Sequence, residues 1–247
     1  MLAGLWHGWH AGILETDGRH PVQCAAMLPD LVDLFRRPTA ALERIEARRR
    51  LGDGLLALGL SILLPALVAE LAAVGPFRPP ANLGSLPALT AQGADIYARW
   101  TYDHRFILPV YGVLVSLALW LVAAGLVHGI ARTLGGRGDF PGFVKLVGFA
   151  ALVGLLALPV ALLDALAKLQ GNARLELSMG QLAGVLSVGL FLWQNVLLVF
   201  AARQHYAIST ERAVAAVIGP IGVAAILLLA LFVLALVLLV LSQQVPV

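Results

Sequence analysis

The side chains of this 247-residue chain with most capacity for chemistry stand in or beside long apolar runs: Glu70, His128, Lys145, Asp164 and Arg203, with the amides of Gln194 and Asn195. A charge at the centre of a membrane helix costs about 2.5–3.5 kcal/mol even on insertion scales, so each of these raises a functional question. All five ionisable groups fall within a turn or two of the end of a run, where a lysine or arginine reaches the surface along its own aliphatic stem. None sits at a centre, as expected of a chain without a proton or ion relay. Glu70 and Asp164 lie toward the same end of their runs and are the pair that could share a cation or a proton. Gln194 and Asn195 are the deepest strongly polar groups. Amides that hydrogen-bond between membrane helices contribute about 0.6–2 kcal/mol, so helix packing is their first reading and substrate binding the second.

Other constellations fall short of a site. His7 and His10 stand three apart, with His20 and Cys24 further on, but no carboxylate or second histidine pair completes a metal shell. A single cysteine excludes an intramolecular disulfide and a Cys-x-x-Cys motif. Gly135-Gly136-Arg137-Gly138 lacks the order of a phosphate-binding loop and no strand can precede it, so it reads as a tight turn. Neither G-x-S-x-G nor H-E-x-x-H occurs. The sequence therefore calls for no catalytic residue, no metal, no cofactor and no enzymatic activity.

Five apolar runs are the elements that must position these groups: 54–74, 106–131, 146–163, 182–202 and 213–241. About 20 residues cross the roughly 30 Å hydrocarbon core as a helix, and each run approaches or exceeds that length. Apolar residues make up 60% of the chain and charged residues 13%, about half the share of a soluble domain, which leaves no room for a second, water-soluble domain. The net charge of +3 is better read as topology than as a nucleic-acid surface. With the N-terminus placed in the cytoplasm, twelve lysines and arginines fall inside and five outside. That asymmetry predicts a multi-pass protein of the cell membrane, N-terminus cytoplasmic and C-terminus on the opposite side.

Residues 1–27 show no period and read as a disordered tail, or as vestigial sequence ahead of a true start at Met27, without the basic start of a signal peptide. From Leu28 the apolar spacing becomes helical, Pro38 interrupts it, and Thr39 is a plausible cap for a second short helix. This amphipathic segment, 28–53, is expected to lay its apolar face in the headgroup boundary. Arg36, Arg37, Arg48, Arg49 and Arg50 would then contact anionic lipid, at about 1 kcal/mol each near the surface. Tyr97, Trp100 and Tyr102 suit an aromatic belt at the other face. Pro65, Pro159 and Pro220 are the expected kinks of the 54–241 domain, with the last run breaking at Gly219-Pro220 and residues 242–247 forming a short tail. Gly125-x-x-x-Gly129 and Gly180-x-x-x-Gly184 offer small faces for close helix approach.

Three stretches resemble the Yip1-domain family of multi-pass membrane proteins: Arg37-Pro38-Thr39-Ala40-Ala41-Leu42-Glu43-Arg44-Ile45 before the first span, Phe143-Val144-Lys145-Leu146-Val147-Gly148-Phe149-Ala150 after the glycine-rich loop, and Trp193 through Arg203-Gln204-His205-Tyr206 to Ala213, followed by Pro220. The resemblance implies five spans with the termini on opposite sides, over about residues 28–241. Eukaryotic members have longer cytoplasmic N-termini and are associated with Rab-type small GTPases. Here residues 28–53 leave little room for such docking, and Pro109-Val110-Tyr111-Gly112 replaces the eukaryotic Asp-Leu-Tyr-Gly-Pro run. The chain is similar to a compact prokaryotic type, to which GTPase binding does not carry over.

The expected fold is all-α: a five-transmembrane-helix bundle with proline-kinked helices, preceded by short amphipathic interfacial helices. The expected role is non-enzymatic, organising lipids or partner proteins, with the bilayer, other membrane proteins or a second copy of itself as partners and no nucleic acid. The rival is a small transporter or channel using the kinked helices with Glu70, Asp164, Gln194 and Asn195.

Overall fold

The structure, a computed structural model, describes residues 27–77 and 88–242, so His7, His10, His20, Cys24 and most of both tails lie outside the described residues. The described residues are helical, in the order α1 (Met27–Arg36), α2 (Pro38–Arg48), α3 (Leu51–Ala73), α4 (Ala88–Asp103), α5 (Leu108–Thr133), α6 (Phe140–Ala151), α7 (Leu158–Gln170), α8 (Ala173–His205) and α9 (Thr210–Ser242). A 3₁₀ segment, Leu152–Ala157, joins α6 to α7. Five helical stretches are long and apolar enough to span a membrane: α3, α5, α6 through α7, α8 and α9.

Local chemistry sets most of the boundaries. Pro38 opens α2 in its first turn, where the missing N–H costs nothing; Arg37 is the residue that precedes it, and Thr39 lies inside the helix instead of capping it. Asp53 accepts from the Arg50 N–H at 3.0 Å, a reciprocal cap for the start of α3. Gly171, with φ at +72°, ends α7, and the Asn172 side chain at once caps α8 through the Leu175 N–H.

The prolines behave differently from one another. Pro65 and Pro220 sit within continuous helices, so the expected division of the last span at Gly219-Pro220 does not occur and α9 runs unbroken. One proline removes one hydrogen-bond donor, which a long helix tolerates in lipid. Pro159 opens α7 directly after the 3₁₀ segment, so the third span changes helix type there.

The core lies at one end of the bundle, called here the basic end, where α1, α2, the starts of α3, α6 and α9 and the ends of α5 and α8 meet. Helix α6 is its hub: Phe143, Val144 and every residue from Leu146 to Ala151 are buried. Leu34, Leu42 and Ile45 of α1 and α2 are fully buried in the same cluster as Leu197 and Tyr206. Part of the apolar face expected to enter the headgroup boundary, Leu34, Leu42 and Ile45, is therefore covered by the protein's own spans, while Leu28 and Val32 stay exposed. Toward the far end the spans turn large apolar side chains outward, Val185 at 74% exposure among them, which is stable in hydrocarbon and costly in water. Helix α4 stands outside the bundle and carries Tyr97 stacked on Trp100.

Helices α3 and α6 make the most extensive interface, and they meet backbone to backbone. A Cβ on Gly148 would land on the carbonyl of Gly54, and one on Gly54 would lie 2.5 Å from Lys145 Cα. By contrast nothing lies within 4 Å of a Cβ built on Gly125, Gly129, Gly180 or Gly184, so the two G-x-x-x-G faces are open. Gly148→Ala should therefore cost about 1–3 kcal/mol through overpacking, while Gly184→Ala should be neutral or stabilising by up to about 1 kcal/mol from helix propensity. Thermal unfolding of the two variants in one detergent measures the difference.

Candidate functional site

Polar side chains gather at the basic end in three linked groups. In the first, Asp30 is buried and accepts from Arg49 Nε at 3.0 Å and Nη2 at 2.6 Å, both onto Oδ2, while Arg44 Nη2 reaches its Oδ1 at 3.3 Å. Arg44 also pairs with Asp33 at 2.6 Å. The Arg49 guanidinium lies 5.8 Å from the ring centroid of Phe149, an additional cation–π contact. Two carboxylates and two guanidiniums thus lock α1 to α2 and α2 to α6. A buried carboxylate of this kind is tolerated because it is paired on both oxygens.

In the second group Lys145, on α6, donates its ammonium to the carbonyls of Glu46 at 2.7 Å and Arg49 at 3.1 Å. Those carbonyls end α2, where no intrahelical donor remains and the helix dipole favours a cation. The Gly54–Gly148 contact brings α6 near enough for this reach.

The third group centres on His205, whose side chain is 5% exposed. Nδ1 lies 2.6 Å from Glu46 Oε1 and Nε2 lies 2.8 Å from the Asp139 carbonyl. The ring is thus bridged between the end of α2 and the loop before α6. Beside it, Tyr206 is fully buried and its hydroxyl lies 2.7 Å from His128 Nδ1. Burial pushes the Tyr206 phenol well above its ordinary range, so it stays neutral and shares a hydrogen with His128. The chain leaves α8 through a Schellman turn, with Ile208 N–H on the Arg203 carbonyl, Ala207 N–H on the Gln204 carbonyl, and Ala207 at φ +53°.

The glycine-rich loop is shaped to this pair. A Cβ on Gly138 or Gly142 would lie 2.5 Å from the His205 ring, and one on Gly136 would lie 2.8 Å from Tyr206 Cβ. The loop cradles an imidazole and a phenol, not a phosphate. Asp139 follows and caps α6 by accepting the Gly142 N–H at 3.0 Å, which holds its carboxyl below the usual range. Both ring nitrogens of His205 are engaged, by Glu46 and by the Asp139 carbonyl, so the arrangement is a latch joining α2, α6 and α8.

The sequence candidates are dispersed. Arg36 and Arg37 are exposed and, with Arg44 and Asp33, line a pocket of about 230 Å³. Arg48 lines a second pocket, of about 300 Å³, with Asp30, Arg44 and Arg49, and Arg50 is exposed at the head of α3. Arg49 faces inward. No hydrogen bond or ion pair joins Glu70 to Asp164 among the described residues; Asp164 pairs with Lys168 on its own helix at 2.7 Å. Gln194 and Asn195 line a cavity between α5, α8 and α9, and the Asn195 amide donates to the Phe191 carbonyl of its own helix. Among the described residues no group of three or more His, Cys, Asp or Glu is placed to hold a metal. Glu46, Asp139, His205 and Tyr206 were not singled out from sequence. One signal was available: Asp139 stands three residues before Gly142 at a Phe-Pro helix start, the pattern of an Asx cap.

Five apolar spans, an outward-facing apolar surface and a polar end stitched by buried ion pairs define a multi-pass helical membrane protein. Within that class, the Yip1 domain family model matches residues 32–234, more than four fifths of the chain. The chain belongs to the Yip1 domain family. Comparisons with curated proteins and with solved structures return no match.

Replacing His205 with Leu removes its bonds to Glu46 and to the Asp139 carbonyl, which keep Gln204 and the Phe143 N–H as partners, and should cost about 1–3 kcal/mol, against less than about 0.5 kcal/mol for exposed Arg203→Ala. Asp139→Ala should cost about 1 kcal/mol as a lost cap. Because the native Asp139 pKa is lowered, its contribution is present at neutral pH and is lost as pH falls through that native value, so the variant should differ from wild type at pH 7 and converge with it in acid. Unfolding midpoints across pH measure both.

Proposed function

We propose that this Yip1-domain protein is a non-enzymatic organiser of anionic lipid, and through it of membrane partners, with its basic end facing the cytoplasm of the cell membrane. The observation that carries the reading is the division of labour among the arginines of α1 and α2. Arg44 and Arg49 are bound to aspartates and fix the two helices to the bundle. Arg36, Arg37, Arg48 and Arg50 are left exposed on that fixed platform. Beside them Leu28 and Val32, one turn apart on α1, remain 65% and 42% exposed, while Phe35 stacks on Trp193 of α8. An outward apolar stripe next to exposed guanidiniums suits the boundary between headgroups and acyl chains, where each arginine gains about 1 kcal/mol against an anionic leaflet. The excess of cations at this end supports its cytoplasmic placement. The Asp164–Lys168 pair gives the transporter reading no joint carboxylate site to build on.

The full chain, reconstituted with spin-labelled phosphatidylglycerol or phosphatidylcholine, tests this. Neutralising Arg36, Arg37, Arg48 and Arg50 to Gln should lower the preference for the anionic lipid by about 1 kcal/mol per residue at low salt. An unchanged preference would remove the lipid role. Arg49→Gln should instead lower stability, by about 2 kcal/mol, since it leaves Asp30 Oδ2 without its donors and only Arg44 on Oδ1.

A further inference from the structure

The cavity lined by Gln194 and Asn195 has a volume of about 400 Å³ and lies where three spans part, with Trp120 and Ala123 of α5, Phe191 and Leu198 of α8 and Pro220 of α9 in its wall. Its lining is mostly apolar and comes from within three spans, so its surroundings in the bilayer are lipid tails. From Ser116 to Val127 the α5 wall is about 16 Å long at 1.5 Å per residue. Spread over that length, the volume leaves a cross-section of about 25 Å², a quarter of what a helix 10–12 Å wide occupies. One extended hydrocarbon chain fits along it, whereas a whole helix cannot enter it.

The basic end of the same seam carries a cation. Arg212 lies five residues before Val217 of the groove wall, about 7.5 Å along α9. Its Nη1 donates to the carbonyl of Leu134 at 3.0 Å, at the end of α5, and no carboxylate pairs with it among the described residues. The guanidinium is thus held across the end of α5 and α9 with donors to spare for a phosphate. We propose that the groove between α5, α8 and α9 holds one acyl chain of an anionic phospholipid whose phosphate sits at Arg212. The site is separate from the arginines of α1 and α2, so this reading and the platform reading fail independently.

Gln194 gives the proposal a sign. Its amide has no partner among the described residues, and a methylene chain supplies none. Removing that amide should therefore improve chain binding.

Native mass spectrometry of the full chain, purified in mild detergent and offered phosphatidylglycerol or phosphatidylcholine of matched chains, reads the site. Wild type should retain one phosphatidylglycerol per chain. Ala123→Phe, which fills the groove, should lower occupancy about tenfold, whereas Val122→Phe on the exposed face of α5 should not. Arg212→Gln should abolish the preference for phosphatidylglycerol, and Gln194→Leu should raise retention about threefold. Equal retention by the Ala123 and Val122 variants overturns the site. A fall with Gln194→Leu overturns the acyl chain as occupant in favour of a ligand with a hydrogen-bonding group. Should Ala123→Phe fail to give monodisperse protein, Ala123→Leu makes the same test with a smaller plug.

Discussion

Helices α3 and α6 touch at Gly54 and Gly148 with no side chain between them. The rest of the basic end is built on that distance. With α6 so close, the Lys145 ammonium meets the last carbonyls of α2, and the Phe149 ring comes beneath Arg49. Arg49 in turn holds Asp30 and so fixes α1. A methyl group at either glycine would push back the helix from which these contacts start.

The polar groups at this end obey one rule: each meets partners from another element. Asp30 joins α1 to α2, Lys145 joins α6 to α2, and His205 joins α8 to α2 and to the loop before α6. Net stabilisation from such pairs is small against their desolvation, but breaking one strands the other at a cost of about 3–5 kcal/mol. What they supply is a fixed arrangement of α1 and α2 on the spans. A platform of exposed arginines needs that rigidity, because a loose helix would dilute its charges over the surface.

The spans were legible because twenty or so uncharged apolar residues have few other uses, and all five appear as helices. The two short leading helices were legible from their period, but not what covers them: Leu34, Leu42 and Ile45 would be apolar whether they met lipid or protein. Arg49 could not be told from Arg48 and Arg50, since its partner Asp30 stands nineteen residues earlier and only the turn at Pro38 brings them together. The close helix contact was missed because Gly54 and Gly148 belong to different spans and form no local motif, while the two local motifs present face no neighbour. His205 and Glu46 lie 159 residues apart and carry ordinary surface side chains, so nothing in either sequence neighbourhood announces the latch.

The six residues from Leu152 to Ala157 wind at three per turn and not at 3.6, advancing about 20° more per residue than an α-helix does. Across the segment that adds about a third of a revolution and about 3 Å of extra rise. The third span is therefore two rods set at an offset about their common axis. Its first rod can be enveloped on all sides by α2, α3, α5 and α8, while its second, where Ala165 and Ala167 are the buried residues, presents most of its circumference outward. The offset sets the stripe that α7 buries at a different angle from the face of α6 turned to the same neighbours.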